Sequence, residues 1–170
     1  KKIANKFKNG KSLGLKISYL KEKKELETAG SLSLIKKNLI KDDILIINGD
    51  IIANIDFEEL LRFHKNNRND FTVCVKNYFY KIPYGLIENK KKLKIKEKPT
   101  MKNLINSGIY VCSSKILKYL KYNQKINMTD FINYISEKKL KVKSFLIYEN
   151  IHDFTDLNAY YKILQKKNEI

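Results

Sequence analysis

Long apolar runs are missing from this sequence. The longest uncharged ones, such as Ile44 to Ile47, fall far short of the ~20 residues that a membrane-spanning helix needs. The first residues, Lys1-Lys2-Ile3-Ala4-Asn5-Lys6, are basic, but no apolar stretch follows that could act as a signal peptide. A cytoplasmic location with no membrane partner is therefore expected. Cysteine is scarce as well: Cys74 and Cys112 each sit inside an apolar segment. They read as reduced core residues, which excludes a disulfide framework and a cysteine metal cage. Arg62 and Arg68 are the arginines of the chain, so the net charge of +17 is carried by lysine. Base-edge readout and bidentate phosphate clamps favour the guanidinium fork. The lysines, among them Lys36, Lys37, Lys41, Lys65, Lys90 to Lys92, Lys138 and Lys139, are spread through every segment. A nucleic-acid partner is not expected from such a pattern. No Pro/Ser-rich linker, internal repeat or low-complexity tail divides the chain, and 170 residues can bury one sizeable core. A single domain over 1–170 is expected.

The apolar pattern that is present alternates between two periods. Leu13, Leu15, Ile17 and Tyr19 alternate with polar residues, which predicts a strand, and Leu32, Leu34, Ile35 and Leu39 recur at helical spacing from about Thr28. Asp43 to Asn48 is a continuous apolar run of the kind buried on both faces of a parallel sheet, and is expected to be a central strand. Asp56, with Glu59 three residues on, predicts the N-cap of a helix carrying Leu60, Leu61 and Phe63. Phe71 to Val75 predicts the next strand. Two short extended runs, Tyr84 to Glu88 and Leu93 to Lys96, flank Asn89-Lys90-Lys91-Lys92 and predict a hairpin arm. Ile105 to Cys112 reads as a strand, after which Ser113 and Ser114 can cap a helix of Ile116, Leu117 and Leu120. Thr129 or Asp130 can cap a second helix, through Ile132 and Ile135. Val142 to Tyr148 predicts a last strand and Leu157 to Leu164 a closing helix. Strands alternating with helices predict a doubly wound α/β fold with crossover helices.

Four stations in this layout collect polar residues where strands or helices end. Asn48-Gly49-Asp50 closes the apolar strand, the end at which ligands of open α/β sheets bind. It is either a Mg²⁺ ligand beside phosphate or a plain strand-end turn. Glu27-Thr28-Ala29-Gly30-Ser31 is a small-residue helix entry whose free N–H groups could face an anion or a base edge. Glu97-Lys98-Pro99 could offer an acid to sugar hydroxyls and a base to a phosphate, or could be an exposed ion-pair turn. His152-Asp153 could share a metal with Asp50, or Asp153 could cap the final helix. His64 has no Cys or Asp at nucleophile or metal spacing and reads as a surface histidine. Serines 31, 33, 113 and 114 lack a Gly-x-Ser-x-Gly elbow, so a hydrolytic triad is not supported.

In order and spacing the stations resemble the sugar-phosphate nucleotidyltransferase superfamily over nearly the whole chain. Lys11 to Leu20 is similar to the family's "G…G…I.Y" strand. Leu26 to Leu32 resembles "LGTAGAL", with Glu27 where many members have glycine. Ile46 to Asp50 matches "NGD", Pro83 to Glu88 is similar to "YGVVE", Glu97-Lys98-Pro99 to "EKP", and Asn106 to Tyr110 to "NAGIY". Asp153-Phe154 and Tyr160 fit the closing "D-[IF]-G…Y", although Thr155 replaces its glycine and Asp156 adds a charge.

The resemblance implies a Rossmann-like, three-layer α/β/α domain with a mixed sheet and a small β-hairpin arm. It implies that Thr28 and Gly30 serve the nucleotide base, and that Gly85, Glu97 and Asn106 contact the sugar. Lys98 meets the sugar phosphate, and Asp50 with Asp153 binds Mg²⁺, Asp50 and Lys98 being the catalytic pair. The implied partners are a nucleoside triphosphate and a sugar 1-phosphate, which give a nucleotide sugar and pyrophosphate. The family's N-terminal "GxGTRL…PKP" phosphate segment has no counterpart here, so the domain is expected to be N-terminally incomplete and little turnover is expected from the isolated chain. Two rivals are a nucleotide-sugar-binding pseudoenzyme or regulatory fragment, and a cytidylyl transferase acting on phosphocholine-like substrates. The oligomeric state is open, a homo-oligomer included.

Overall fold

The computed structural model describes residues 2–36, 40–89, 91–149, 151–153 and 161. Its helices are α1 (Lys2–Phe7), α2 (Glu27–Gly30), α3 (Phe57–Asn66) and α4 (Met128–Glu137). Its strands are β1 (Ile44–Ile47), β2 (Ile51–Ala53), β3 (Phe71–Lys81), β4 (Leu86–Asn89), β5 (Lys94–Lys96), β6 (Thr100–Cys112), β7 (Val142–Ile147) and β8 (Ile151–Asp153). The chain divides into two compact units: Lys1–Lys41 with Ser114–Lys139, and Asp42–Ser113 with Leu140–Ile170. Among the described residues no helix is long and apolar enough to cross a membrane.

The first unit is helical. Leu26, Ala29, Leu32, Ile116, Leu117, Leu120, Met128, Phe131 and Ile135 are its buried apolar residues. Backbone bonds from Ala29 N to Ile126 O and from Ile126 N to Leu26 O, at 3.1 and 3.0 Å, tie α2 to the turn before α4. The predicted strand over Leu13 to Tyr19 is not formed. Gly10 (φ 81°) and Gly14 (φ 66°), both left-handed, bracket a 3₁₀ turn at Lys11–Leu13. The segment then bonds back to its own beginning, through Ile17 N to Asn9 O at 3.0 Å and Tyr19 Oη to Lys8 O at 2.8 Å. Leu13, Leu15 and Tyr19 stay exposed.

Helices in this unit are also shorter than their periodicity suggests. α2 passes into a 3₁₀ turn over Ser31–Leu34 that is capped by Ile35, which is extended, so the helix expected from Thr28 stops there. Residues 37–39 lie outside the described residues. Ser114–Tyr119 is likewise a 3₁₀ turn. The cap of α4 is neither Thr129 nor Asp130 but Asn127, whose Oδ1 accepts from Asp130 N–H at 2.8 Å and from Thr129 Oγ1 at 2.7 Å. The predicted closing helix falls outside the described residues apart from Tyr161.

The second unit holds a four-stranded sheet in the order β1-β6-β3-β7. β1–β6 and β6–β3 are antiparallel, and β3–β7 is parallel. β1 is therefore an edge strand among the described residues, and not the central one that its apolar run suggests. Ile44 and Ile46 are partly buried while Leu45 and Ile47 remain 38% and 43% exposed. A run in which every residue is apolar carries no period, so it cannot tell one-faced burial from two-faced. The central positions belong to β3 and β6, both longer than predicted. Past the end of β7 they continue as a two-stranded arm, paired from Asn77↔Leu104 to Lys81↔Thr100. β4 and β5 form the expected hairpin, and β2 pairs with β8 in a separate ribbon.

α3 begins at Asp56, whose Oδ1 accepts from Glu59 N–H at 2.9 Å, as its capping pattern predicts. It lays Leu60 against Ile55, Cys74, Ile109, Val111 and Ile147, the core of this unit. His64 on the same helix is buried at 2% exposure, not at the surface as expected. Its Nδ1 lies 2.8 Å from Thr72 Oγ1, which also accepts from Asn69 Nδ2, and its Nε2 lies 3.8 Å from Asp43. Those partners come from a strand, a loop and the residue before β1, so no helical period reveals them. Cys74 and Cys112 are free and buried, and burial pushes both thiols up to about 12.

Candidate functional site

β1 delivers Asn48-Gly49-Asp50 to the sheet end where β6 carries Asn106-Ser107-Gly108, because β1 and β6 pair Ile47 with Ile109. The two motifs interlock. Asn48 N–H donates to Gly108 O at 3.0 Å. Gly108 has φ +73°, and a Cβ added there would lie 2.5 Å from Ile51 Cδ1 and 2.7 Å from Asn48 Nδ2. Only glycine combines that left-handed backbone with so close an approach. Asn106 Oδ1 accepts from Gly108 N–H at 3.0 Å, and its Nδ2 donates to Tyr110 Oη at 2.7 Å. Burial pushes the Tyr110 phenol up, against the opposing pull of that hydrogen bond. Ser107 Oγ donates to Cys74 O at 2.8 Å, alongside the register shift between Val73 and Val75. Asn48, Ile51, Lys76, Asn106, Gly108 and Tyr110 line a cavity of about 160 Å³ there.

Asp50 is exposed at the turn into β2. The β2–β8 ribbon pairs Ile51 with Asp153, Ile52 with His152 and Ala53 with Ile151. Asp153 is therefore carried, 103 positions away in sequence (153 − 50), onto the strand beside the residue that follows Asp50.

The hairpin gathers three more of the expected residues. Pairing of Leu86 with Lys96 brings Gly85 beside Glu97, and a Cβ on Gly85 would lie 2.9 Å from Ile95 Cγ2 and 3.3 Å from Glu97 Oε2. Lys98 Nζ is 3.8 Å from Glu97 Oε1, with both side chains largely exposed. Lys98 itself is left-handed at φ 42°, a conformation that a non-glycine residue adopts at a cost. Ile82 N–H donates to Pro99 O at 3.0 Å and closes the hairpin base.

Thr28 and Gly30 belong to the helical unit, where both have structural work. Thr28 Oγ1 accepts from Met128 N–H at 2.8 Å, at the start of α4. Gly30 is buried, and a Cβ there would lie 2.5 Å from Leu26 Cβ and 2.6 Å from Gln124 O. Glu27, at the position where the sequence pattern favours glycine, has φ +66° and pairs with Lys125 Nζ at 3.2 Å.

Lys76 was not among the residues singled out in the sequence, and Asn48 and Tyr110 stood in the motifs there without a role of their own. Tyr110 is signalled only by lying four positions after Asn106, on the same face of an extended strand. Lys76 joins the cavity through the pairing of distant strands, and no local spacing announces it.

The comparisons with known proteins agree with this geometry. A family model described as nucleotidyl transferase matches residues 1–169. The mannose-1-phosphate guanylyltransferase catalytic subunit beta of Xenopus tropicalis is 36% identical over 115 residues, which is 63% of this chain and 32% of that protein. Its counterpart in Dictyostelium discoideum is 38% identical over the same length, with the same shares of 63% and 32%. The match thus spans about a third of the length of these relatives. A structure from Bacillus anthracis assigned as a glucose-1-phosphate thymidylyltransferase, solved with sucrose, superposes with a TM-score of 0.72. That superposition covers 99% of this chain and 72% of the other at 19% identity, and so establishes the shared Rossmann-like fold. With the family model matching from end to end and the NGD and NSG motifs interlocked at one sheet end, the chain belongs to the sugar-phosphate nucleotidyltransferase family.

Proposed function

We propose that this chain serves a nucleotidyltransferase that joins a nucleoside triphosphate to a sugar 1-phosphate, giving a nucleotide sugar and pyrophosphate. The observation that carries the reading is the pairing of Ile51 with Asp153, one residue from Asp50. A pair of aspartates is a hard-oxygen donor set that suits Mg²⁺ when phosphate oxygens and water complete its shell. Asp50 and Asp153 would hold that ion, which when bound supplies charge neutralisation at the phosphates.

The chemistry asks little else of the protein. An oxygen of the sugar 1-phosphate attacks the α-phosphorus, the bond from that phosphorus to the oxygen bridging to the β-phosphate breaks, and pyrophosphate leaves with the electron pair. The nucleophile is already anionic, so no general base or covalent residue is required. Catalysis then rests on position and charge. Lys98 meets the sugar phosphate, and Glu97, beside Gly85, accepts from sugar hydroxyls. Asn106 contacts the sugar as well, held in orientation by Gly108 N–H and Tyr110 Oη. Thr28 and Gly30 serve the base.

The names of the relatives make GTP and mannose 1-phosphate the first substrate pair to try. We place the product in cytoplasmic supply of activated sugar for polysaccharide or glycan. The test is pyrophosphate release from a panel of nucleoside triphosphates and sugar 1-phosphates with Mg²⁺. Release with one pair, abolished in Asp50→Ala, is the expected result. Nucleotide-sugar binding without release from any pair supports the binding-only rival, and unchanged rates in Asp50→Ala overturn the metal role.

A further inference from the structure

We propose that the β4–β5 hairpin docks on an anionic phospholipid surface. Residues 86–98 hold six lysines, two glutamates and no aromatic residue. That is nearly one lysine in two, against 33 (35 − 2) in the 170 residues of the chain, so the arm exceeds the charge spread along the rest. Lys94 is paired with Glu88 at 3.2 Å and Lys98 with Glu97 at 3.8 Å. Lys91, Lys92 and Lys96 are exposed and have no carboxylate partner among the described residues.

The same arm exposes aliphatic surface. Ile87 and Ile95 are cross-strand partners, so their side chains share one face, and they remain 54% and 57% exposed. Leu93, in the turn before β5, is 70% exposed. Asn89 Oδ1 accepts from Lys91 N–H at 2.9 Å and from Lys92 N–H at 3.3 Å, which fixes the turn that carries Lys91, Lys92 and Leu93. Cationic charge beside aliphatic surface is the pattern of a segment lying in a membrane interface, where lysines reach lipid phosphates and apolar side chains enter the headgroup layer. The lack of a spanning run bears on passage through a bilayer, not on attachment to its surface. A nucleic-acid strand is a poorer match, because bases stack on aromatic rings and the arm has none. An acidic protein is a poorer match as well. Each described residue from Ile87 to Lys98 is exposed, so the arm projects its side chains outward instead of lining a pocket for a partner's anchor residue. A fluid lipid layer closes around such a projection.

Vesicle binding needs neither nucleotide nor sugar, so it stands or falls apart from the transferase reading. The chain has no tryptophan, and Leu93→Trp therefore places a single fluorescent probe in the hairpin turn. With phosphatidylcholine vesicles containing about a third phosphatidylserine, its emission should shift to the blue and be quenched by brominated acyl chains. Vesicles of phosphatidylcholine alone should bind the native chain at least about tenfold more weakly, since each lysine near an anionic surface is worth about fivefold in affinity. Lys91→Glu combined with Lys92→Glu should cost at least about tenfold in co-sedimentation with the anionic vesicles. Lys23→Glu with Lys24→Glu, the same charge reversal at exposed positions in the other unit, should cost less than about threefold. Equal losses from the two reversals would mean diffuse attraction by the net charge of +17, and would overturn the proposal. An emission that the anionic vesicles leave unshifted overturns it too. Binding to polyglutamate with none to the vesicles assigns the arm to an acidic protein and likewise overturns it.

Discussion

Asn48 packs against Gly108 so closely that the glycine has no room for a Cβ, which would come within 2.7 Å of the Asn48 amide nitrogen. The same pair is joined by Asn48 N–H to Gly108 O at 3.0 Å. The link seats the Asp50 turn on β6, so its loss should act on stability and on the site together. Gly108→Ala must accept φ +73° as well as the contact with Ile51 Cδ1 at 2.5 Å. The dihedral alone costs about 1–3 kcal/mol. Urea unfolding should show a loss of at least that size, and an unchanged midpoint would mean that the turn re-forms without the contact.

Glu27 offers the opposite case, a residue whose replacement by glycine should help. Its φ of +66° costs a side-chain-bearing residue about 1 kcal/mol. The ion pair with Lys125 that Glu27→Gly gives up is about half exposed on both sides, and pairs of that kind contribute little. A net gain of about 0.5 kcal/mol in urea unfolding is expected once the greater chain entropy of glycine is counted. A loss would show that the Lys125 pair outweighs the backbone.

His64 should make stability depend on pH near neutrality. Burial, the largest influence, pushes its imidazole below the ordinary 6.5, while Asp43 and Asp70 oppose the shift. The unfolded chain therefore takes up this proton at a higher pH than the folded one. The contribution of the neutral ring is fully present above about pH 6.5 and is lost as pH falls from there through the folded value. Unfolding midpoints measured between about pH 5 and pH 7.5 should rise with pH in the native chain. The rise should be smaller in His64→Gln. Equal slopes would show that folding leaves the ring's proton affinity unchanged, the pull of Asp43 and Asp70 offsetting burial.

The residues that the sequence misplaced share a physical cause. Strand and hairpin positions were legible wherever apolar runs met turn residues, as at Phe71, Ile105, Val142 and the Asn89 loop, because burial and turn chemistry are both local. The rank of β1 in the sheet was not, since Ile44 to Ile47 are apolar without alternation and only pairing with β6 assigns them an edge. Leu13 to Tyr19 alternate correctly for a strand, yet two left-handed glycines fold the segment back on itself. Of the candidate site, Asn48-Gly49-Asp50 was visible at the end of an apolar run and Asn106-Ser107-Gly108 through the family resemblance. Their interlocking was not, because it depends on a contact between residues 60 positions apart (108 − 48).

The two thiols should report on unfolding of the core. Cys74 and Cys112 are fully buried on adjacent central strands, and burial pushes each thiol up to about 12. At pH 8 the reactive thiolate is then on the order of one molecule in ten thousand. Alkylation by iodoacetamide must therefore proceed through opened states in which the thiols regain an ordinary acidity. When reclosing is fast, the labelling rate tracks the free energy of opening. Cys74 belongs to the same core cluster as Leu60 and Val111, so its labelling should require release of α3 from the sheet and should accelerate in Leu60→Ala. Leu60→Ala costs about 2–5 kcal/mol, so labelling at Cys74 should speed up by at least about thirtyfold. Rapid labelling of Cys74 in the native chain without denaturant would show that this core opens by local motion, without release of the helix.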